Sequence, residues 1–119
     1  TPVIEVGTEG AQIPIGVSDE NLQVVREGMR LAVTEGTGTA LSVFGVMVAG
    51  KTGTAEVGVR NEFTNSLVIG FFPYERPRYA FAVAMEKARA GTLQGAPAVM
   101  GEVLEWIVVY KPELTTTGE

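Results

Sequence analysis

The clearest periodic pattern lies between residues 19 and 35. Leu22, Val25, Met29, Ala32 and Val33 recur at spacings of three, four, three and one, which puts them on one face of a helix. Arg26, Glu27, Arg30 and Glu35 occupy the other side. Ser18 precedes the run, and its hydroxyl can accept a bond from a free N–H of the first turn. Asp19 and Glu20 place negative charge where the helix dipole favours it. Gly36 supplies the stop. The pattern predicts a helix over 19–35.

Beyond a small-residue turn at 37–40 the period shortens to two. Phe44, Val46 and Val48 alternate, and a strand is expected over about 46–58. Arg60-Asn61-Glu62 reads as a polar hairpin connection. A second strand over 64–72 carries Leu67, Val68, Ile69, Phe71 and Phe72. Pro73 and Pro77 bracket a turn. A third strand over 78–86 sets Tyr79, Phe81, Val83 and Met85 on one face. Links this short predict an antiparallel meander. Residues 87–95 read as a loop. Pro97 suits the first turn of a last helix, with Val99, Met100, Val103, Leu104, Ile107 and Val108 as its buried face and Pro112 as its stop. Residues 1–17 read as loop, with a short extended piece at Val3, Ile4 and Val6, and 111–119 as a tail. The expected class is α+β, a three-stranded antiparallel meander with two flanking helices on one face. All 119 residues fall in one domain.

Composition narrows the function classes. The net charge is −5, from 14 acidic and 9 basic residues, with no basic stripe to neutralise phosphates, so nucleic acid is not an expected partner. Histidine is absent, which removes the usual general base and the commonest metal ligand. Cysteine is absent too, which excludes disulfides, thiolate zinc sites and thiol nucleophiles. No cofactor or metal is called for. Gly45, Gly50 and Gly70 interrupt the longest apolar runs, and no membrane span is expected. No signal peptide stands at Thr1, and the opening fits a piece of a longer protein.

The chemistry is concentrated at Gly50-Lys51-Thr52-Gly53-Thr54, where two patterns overlap. Residues 45–52 satisfy G-x-x-x-x-G-K-[ST] letter for letter, the phosphate-cradling loop of nucleotide-binding proteins. Such a loop turns into a helix at the lysine. Here Val46, Met47, Val48 and Ala49 favour a strand, and Gly53, Thr54, Val57 and Gly58 oppose a helix. The only aspartate, Asp19, lies upstream, leaving Glu86 as the one candidate to position magnesium. The other pattern is the Lys-Thr-Gly strand of serine enzymes that recognise penicillin. Glycine at 53 leaves a strip of backbone bare for a peptide or β-lactam. Lys51 supplies a fixed positive charge near the substrate carboxylate and the nucleophile. The Thr52 and Thr54 hydroxyls can hydrogen-bond that carboxylate. The backbone N–H of Thr54 is suited to an oxyanion.

Three residues recur by chance, but the likeness extends further. Ala49-Gly50-Lys51-Thr52-Gly53-Thr54-Ala55-Glu56 is similar to the extended motif of class B penicillin-binding proteins. Val25-Arg26-Glu27-Gly28-Met29-Arg30 and Gly36-Thr37-Gly38-Thr39-Ala40 resemble that family's preceding helix and turn. Ile69-Gly70-Phe71-Phe72-Pro73 and Tyr79-Ala80-Phe81-Ala82-Val83-Ala84-Met85 resemble its last two strands. Ala96-Pro97-Ala98-Val99 resembles the start of its final helix. The match covers about 18–110, in the same order.

The resemblance implies a fragment of the five-stranded β-lactamase/transpeptidase-like fold, with the first two strands supplied from upstream. The third strand, about 78–86, should then lie open at one edge, available for association. The resemblance also implies a peptidoglycan D,D-transpeptidase that cross-links stem peptides by serine acyl transfer. Its substrates would be stem peptides, its inhibitors β-lactams, and its place the bacterial cell envelope outside the cytoplasm, with an N-terminal membrane anchor in the parent protein. Two of the family's motifs are missing. Ser18, Ser42 and Ser66 are the only serines, and none is followed by lysine at the third position or by asparagine at the second. The chain therefore holds no nucleophile and should be inactive alone. Lys51, Thr52, Gly53 and Thr54 would bind substrate, with Lys51 and the Thr54 N–H in catalytic roles. A serine β-lactamase, a β-lactam sensor, a nucleotide-binding domain and a small interaction module with an accidental Lys-Thr-Gly remain as alternatives. The decisive expectation is an exposed Lys51 ammonium at the rim of a groove.

Overall fold

The structure is a computed structural model and describes residues 10–89, 91 and 94–117. The extended piece expected at Val3, Ile4 and Val6 lies outside the described residues. Residues 10–18 carry no regular element and are exposed.

Helix α1 spans Asp19–Thr34. The Ser18 hydroxyl accepts from the Asn21 N–H at 3.2 Å, as the capping pattern predicts. Beyond its end the Glu35 N–H returns to the Leu31 carbonyl at 2.8 Å. The expected apolar face is only partly used. Val33 is fully buried, Leu22, Met29 and Ala32 are half-buried, and Val25 is 55% exposed. Arg30 instead turns inward and donates to the Val48 carbonyl at 2.7 Å. Periodicity located the apolar stripe, but the sheet is flanked by α1 only near the helix's C-terminal turns.

A 3₁₀ turn, Thr39–Leu41, leads to the sheet. Strand β1 is Ala49–Val57, β2 is Phe63–Phe72 and β3 is Tyr79–Arg89. They form an antiparallel sheet in the order β1-β2-β3. The first strand begins three residues later than alternation suggests. Its partner ends with Phe72, beyond which Pro73 turns the chain, and the Met47 carbonyl is taken by the Tyr74 N–H at 2.8 Å. Val46 and Val48 are buried all the same. The third strand runs three residues longer than expected, into the segment 87–95 that reads as loop. Its pairing shifts between Thr64 and Ser66, where one extra β3 residue makes a bulge. Lys87 there has φ 54°, and its N–H is held by Asn65 Oδ1 at 2.9 Å. Pairing then resumes at Thr64↔Ala88 and Phe63↔Arg89. Glu86-Lys87 broke the alternation that sequence could read.

Helix α2 spans Ala96–Tyr110, with Pro97 in its first turn. Its buried residues are Ala96, Met100, Gly101 and Leu104, whereas Val99 and Val103 of the expected face are exposed. The face is rotated because Gly101 lies against the 3₁₀ turn. A Cβ added there would stand 2.3 Å from the Ala40 carbonyl oxygen, so only glycine permits this approach. Trp106 is 52% exposed and lies against Tyr110, with ring centroids 5.3 Å apart and the planes tilted by 34°. Pro112–Leu114 forms a further 3₁₀ turn in what reads as tail.

Residues paired across antiparallel strands share a face. One face carries Gly50, Thr52, Thr54, Ser66, Val68, Gly70, Phe72, Phe81, Val83 and Met85. Val33 of α1, Leu41, and Ala96, Met100 and Leu104 of α2 cluster with Val68 and Phe72 in one core on that side. Both helices therefore cover the same face. The opposite face carries Lys51, Gly53, Leu67, Ile69, Ala82 and Ala84 and is bare: Leu67 is 41% and Ile69 54% exposed.

Candidate active-site strand

β1 is an edge strand, hydrogen-bonded to β2 and, among the described residues, to no other strand. Lys51, Thr52, Gly53 and Thr54 sit at its middle. Strand alternation separates them. Lys51 and Gly53 belong to the bare face, paired with Ile69 and Leu67; Thr52 and Thr54 belong to the helix-covered face, paired with Val68 and Ser66. What the four share is the free edge of the strand, where a ligand lying alongside β1 can meet groups from both faces.

Lys51 is exposed, and its Nζ donates to the Thr52 carbonyl. The chain runs extended through it to Val57. No helix starts at the lysine, so the phosphate-loop geometry is not formed. At Gly53 an added Cβ would meet Leu67 Cβ at 3.6 Å, an ordinary contact. Packing within the chain does not require glycine there.

The Thr52 hydroxyl lies 2.7 Å from the hydroxyl of Thr37. Thr54 is exposed at the rim of a cavity of ≈ 260 Å³ lined also by Thr64, Ser66, Arg89, Gln94 and Gly95. Ser66 Oγ accepts the Ala96 N–H at 2.9 Å, and Ser18 Oγ caps α1. Both serines thus serve helix starts. Sequence reasoning assigned Thr37 only to a turn and Ser66 only to a strand. The Gly36-Thr37-Gly38 segment was visible as part of a family-like stretch, but its approach to Thr52 is a tertiary contact that spacing does not encode.

The profile of the family "Penicillin binding protein transpeptidase domain" matches residues 13–105. The chain belongs to this family. The transpeptidase resemblance drawn from the strand and its flanking segments is borne out. Over 100 residues the chain is 33% identical to the "Peptidoglycan D,D-transpeptidase FtsI" of Escherichia coli (strain K12), covering 75% of this chain and 17% of that protein. It is 33% identical over 87 residues to the "Peptidoglycan D,D-transpeptidase MrdA" of Acinetobacter baumannii, covering 62% of this chain and 13% of the relative. Among solved structures, the D,D-transpeptidase domain of a peptidoglycan glycosyltransferase from Eggerthella lenta superposes with a TM-score of 0.69 at 29% identity, over 90% of this chain and 24% of that one. The chain thus spans less than a fifth of the curated relatives it matches. The three-stranded sheet with two helices is a fragment of the transpeptidase fold. No helix among the described residues is long and apolar enough to cross a membrane.

Proposed function

We propose that this chain is the substrate-clamping portion of a peptidoglycan D,D-transpeptidase whose nucleophilic serine lies in a part of the domain outside residues 1–119. In the assembled domain that serine attacks the carbonyl of the penultimate D-alanine of a stem peptide. The C–N bond to the terminal D-alanine breaks, the leaving amine takes a proton, and an acyl-enzyme forms. An amine from a second strand then displaces the serine and completes the cross-link. Lys51 supplies positive charge beside the serine and the terminal carboxylate. The Thr52 and Thr54 hydroxyls bind that carboxylate, Gly53 lets the peptide lie against the backbone, and the Thr54 N–H stabilises the oxyanion of the tetrahedral intermediate. β-Lactams acylate the same serine. The other half of the domain covers the bare sheet face and pairs with the free edge of β3. The parent works outside the cytoplasm, at the cell envelope where stem peptides are found.

One observation carries this assignment. An exposed lysine stands beside a glycine that internal packing does not need, on the sheet face the helices leave bare. A fluorescent penicillin tests it. The isolated chain should take no covalent label, because none of its three serines has the activating lysine or asparagine spacing. The longer protein should be labelled, and Lys51→Ala should slow labelling at least about tenfold, the size of one charge-assisted hydrogen bond. A label on the isolated chain, or none on the longer protein, sinks the assignment. Rapid release of the bound label would favour a β-lactamase instead.

A further inference from the structure

The hydroxyls of Thr37 and Thr52 are 2.7 Å apart across 15 residues of sequence. Thr37 stands in the bend that follows α1, and the bend is tied down independently of its side chain. The Gly36 and Gly38 N–H groups both donate to the Ala32 carbonyl, at 3.2 and 2.9 Å. The Leu41 N–H donates to the Gly38 carbonyl at 2.9 Å, and Leu41 itself is fully buried. Backbone bonds and a buried anchor thus place the Thr37 hydroxyl. It meets Thr52 at the separation of a good O–H···O bond.

We infer that Thr37 is a positioning residue for substrate recognition. Its O–H donates to Thr52 Oγ1, which turns the Thr52 proton outward to the carboxylate of the acyl-D-alanine peptide or the β-lactam. This rests on the transpeptidase assignment above. A hydroxyl has one proton and two lone pairs. Were Thr52 to donate to Thr37, it would face a carboxylate with lone pairs alone, and the two acceptors would repel. With Thr37 donating, the chain Thr37–Thr52–carboxylate runs head to tail, and each bond polarises the next. Neither end needs a proton from solvent. A bond that only ties the bend to β1 would not distinguish a ligand with a carboxylate from one without.

The test uses the longer protein and two probes, a fluorescent penicillin and the same compound with its carboxylate esterified. Second-order acylation rates are measured for Thr37→Val, Thr37→Ser, Thr52→Val and the double valine variant. Thr37→Val should slow the carboxylate probe about tenfold, as loss of a bond in a chain ending on a charged group does. It should leave the ester's rate where it was. Thr37→Ser should restore the carboxylate rate, and Thr37→Val should add nothing to Thr52→Val. Equal slowing of both probes by Thr37→Val with no recovery of the carboxylate rate in Thr37→Ser, independent losses in the double variant, or no slowing at all would overturn the role. A fold damaged by the valine would appear as equal slowing, and the serine variant would still report on the hydroxyl. If the unaltered longer protein is not acylated by the carboxylate probe, the transpeptidase assignment falls first.

Discussion

A Cβ at position 53 would find Leu67 Cβ at 3.6 Å, whereas one at position 101 would stand 2.3 Å from the Ala40 carbonyl oxygen. The two glycines therefore answer to different demands. Gly53→Ala should leave the chain as stable as before, within about 0.5 kcal/mol, while sharply slowing penicillin acylation of the longer protein. The added methyl sits where a ligand would lie on the strand. Chemical denaturation of the chain and labelling of the longer protein read the two effects separately; equal loss in both would mean that Gly53 is structural. Position 101 should behave in the reverse manner. Gly101→Ala drives a methyl into backbone that cannot rotate aside, and should cost at least about 1–3 kcal/mol in the same denaturation. The candidate site was legible at this scale because its residues are contiguous: Lys51, Thr52, Gly53 and Thr54 form one uninterrupted stretch. Thr37 was not, because its partnership with Thr52 closes only when α1 and β1 pack.

At the scale of elements, the joints between strands and helices explain both what sequence revealed and what it hid. Ser18 caps α1 from an adjacent position, and adjacency is what a sequence pattern records. Helix α2 has Gly95 at its cap and no side-chain bond from it; Ser66, 30 residues earlier on β2, accepts the Ala96 N–H instead. That cap is a property of the fold, so α2 was recognised from Pro97 and apolar content while its orientation was misjudged. Ser66→Ala should lower stability by about 1–2 kcal/mol, because a half-buried N–H at a helix start loses its acceptor. Ser18→Ala, at an exposed cap, should cost about 1 kcal/mol or less. Amide exchange checks the first change directly: protection of the first turn of α2 should fall while that of α1 stays. Loss confined to α1, or spread evenly, would deny the cap. The end of β3 was missed for a related reason. Its last residues pair only after the bulge at Lys87, which Asn65 holds from the neighbouring strand.

For the whole molecule, the helices leave one sheet face uncovered, and the described residues leave one edge of β1 and one of β3 without a strand partner. Leu67 and Ile69 stand exposed at the centre of that face beside Ala82 and Ala84, an arrangement soluble monomers avoid. Unpaired edges add ready hydrogen-bonding partners. The isolated chain should therefore self-associate, and the only general force against it is its net charge of −5. Salt screens that repulsion, with a Debye length of about 10 Å at 0.1 M, and leaves the apolar attraction intact. Sedimentation should accordingly show more association as salt rises, the reverse of an assembly held by ion pairs. Ile69→Glu and Leu67→Glu place charge on the bare face without touching the helix-side core, and each should shift the chain toward monomer. Val24→Glu, on the exposed side of α1, separates this face from the rest of the surface: it should change association less than either sheet variant. Supplying the remainder of the transpeptidase domain as a separate polypeptide should compete with self-association, because both would occupy the same face and edge. If the sheet variants associate as strongly as the unaltered chain, the bare face does not drive the association.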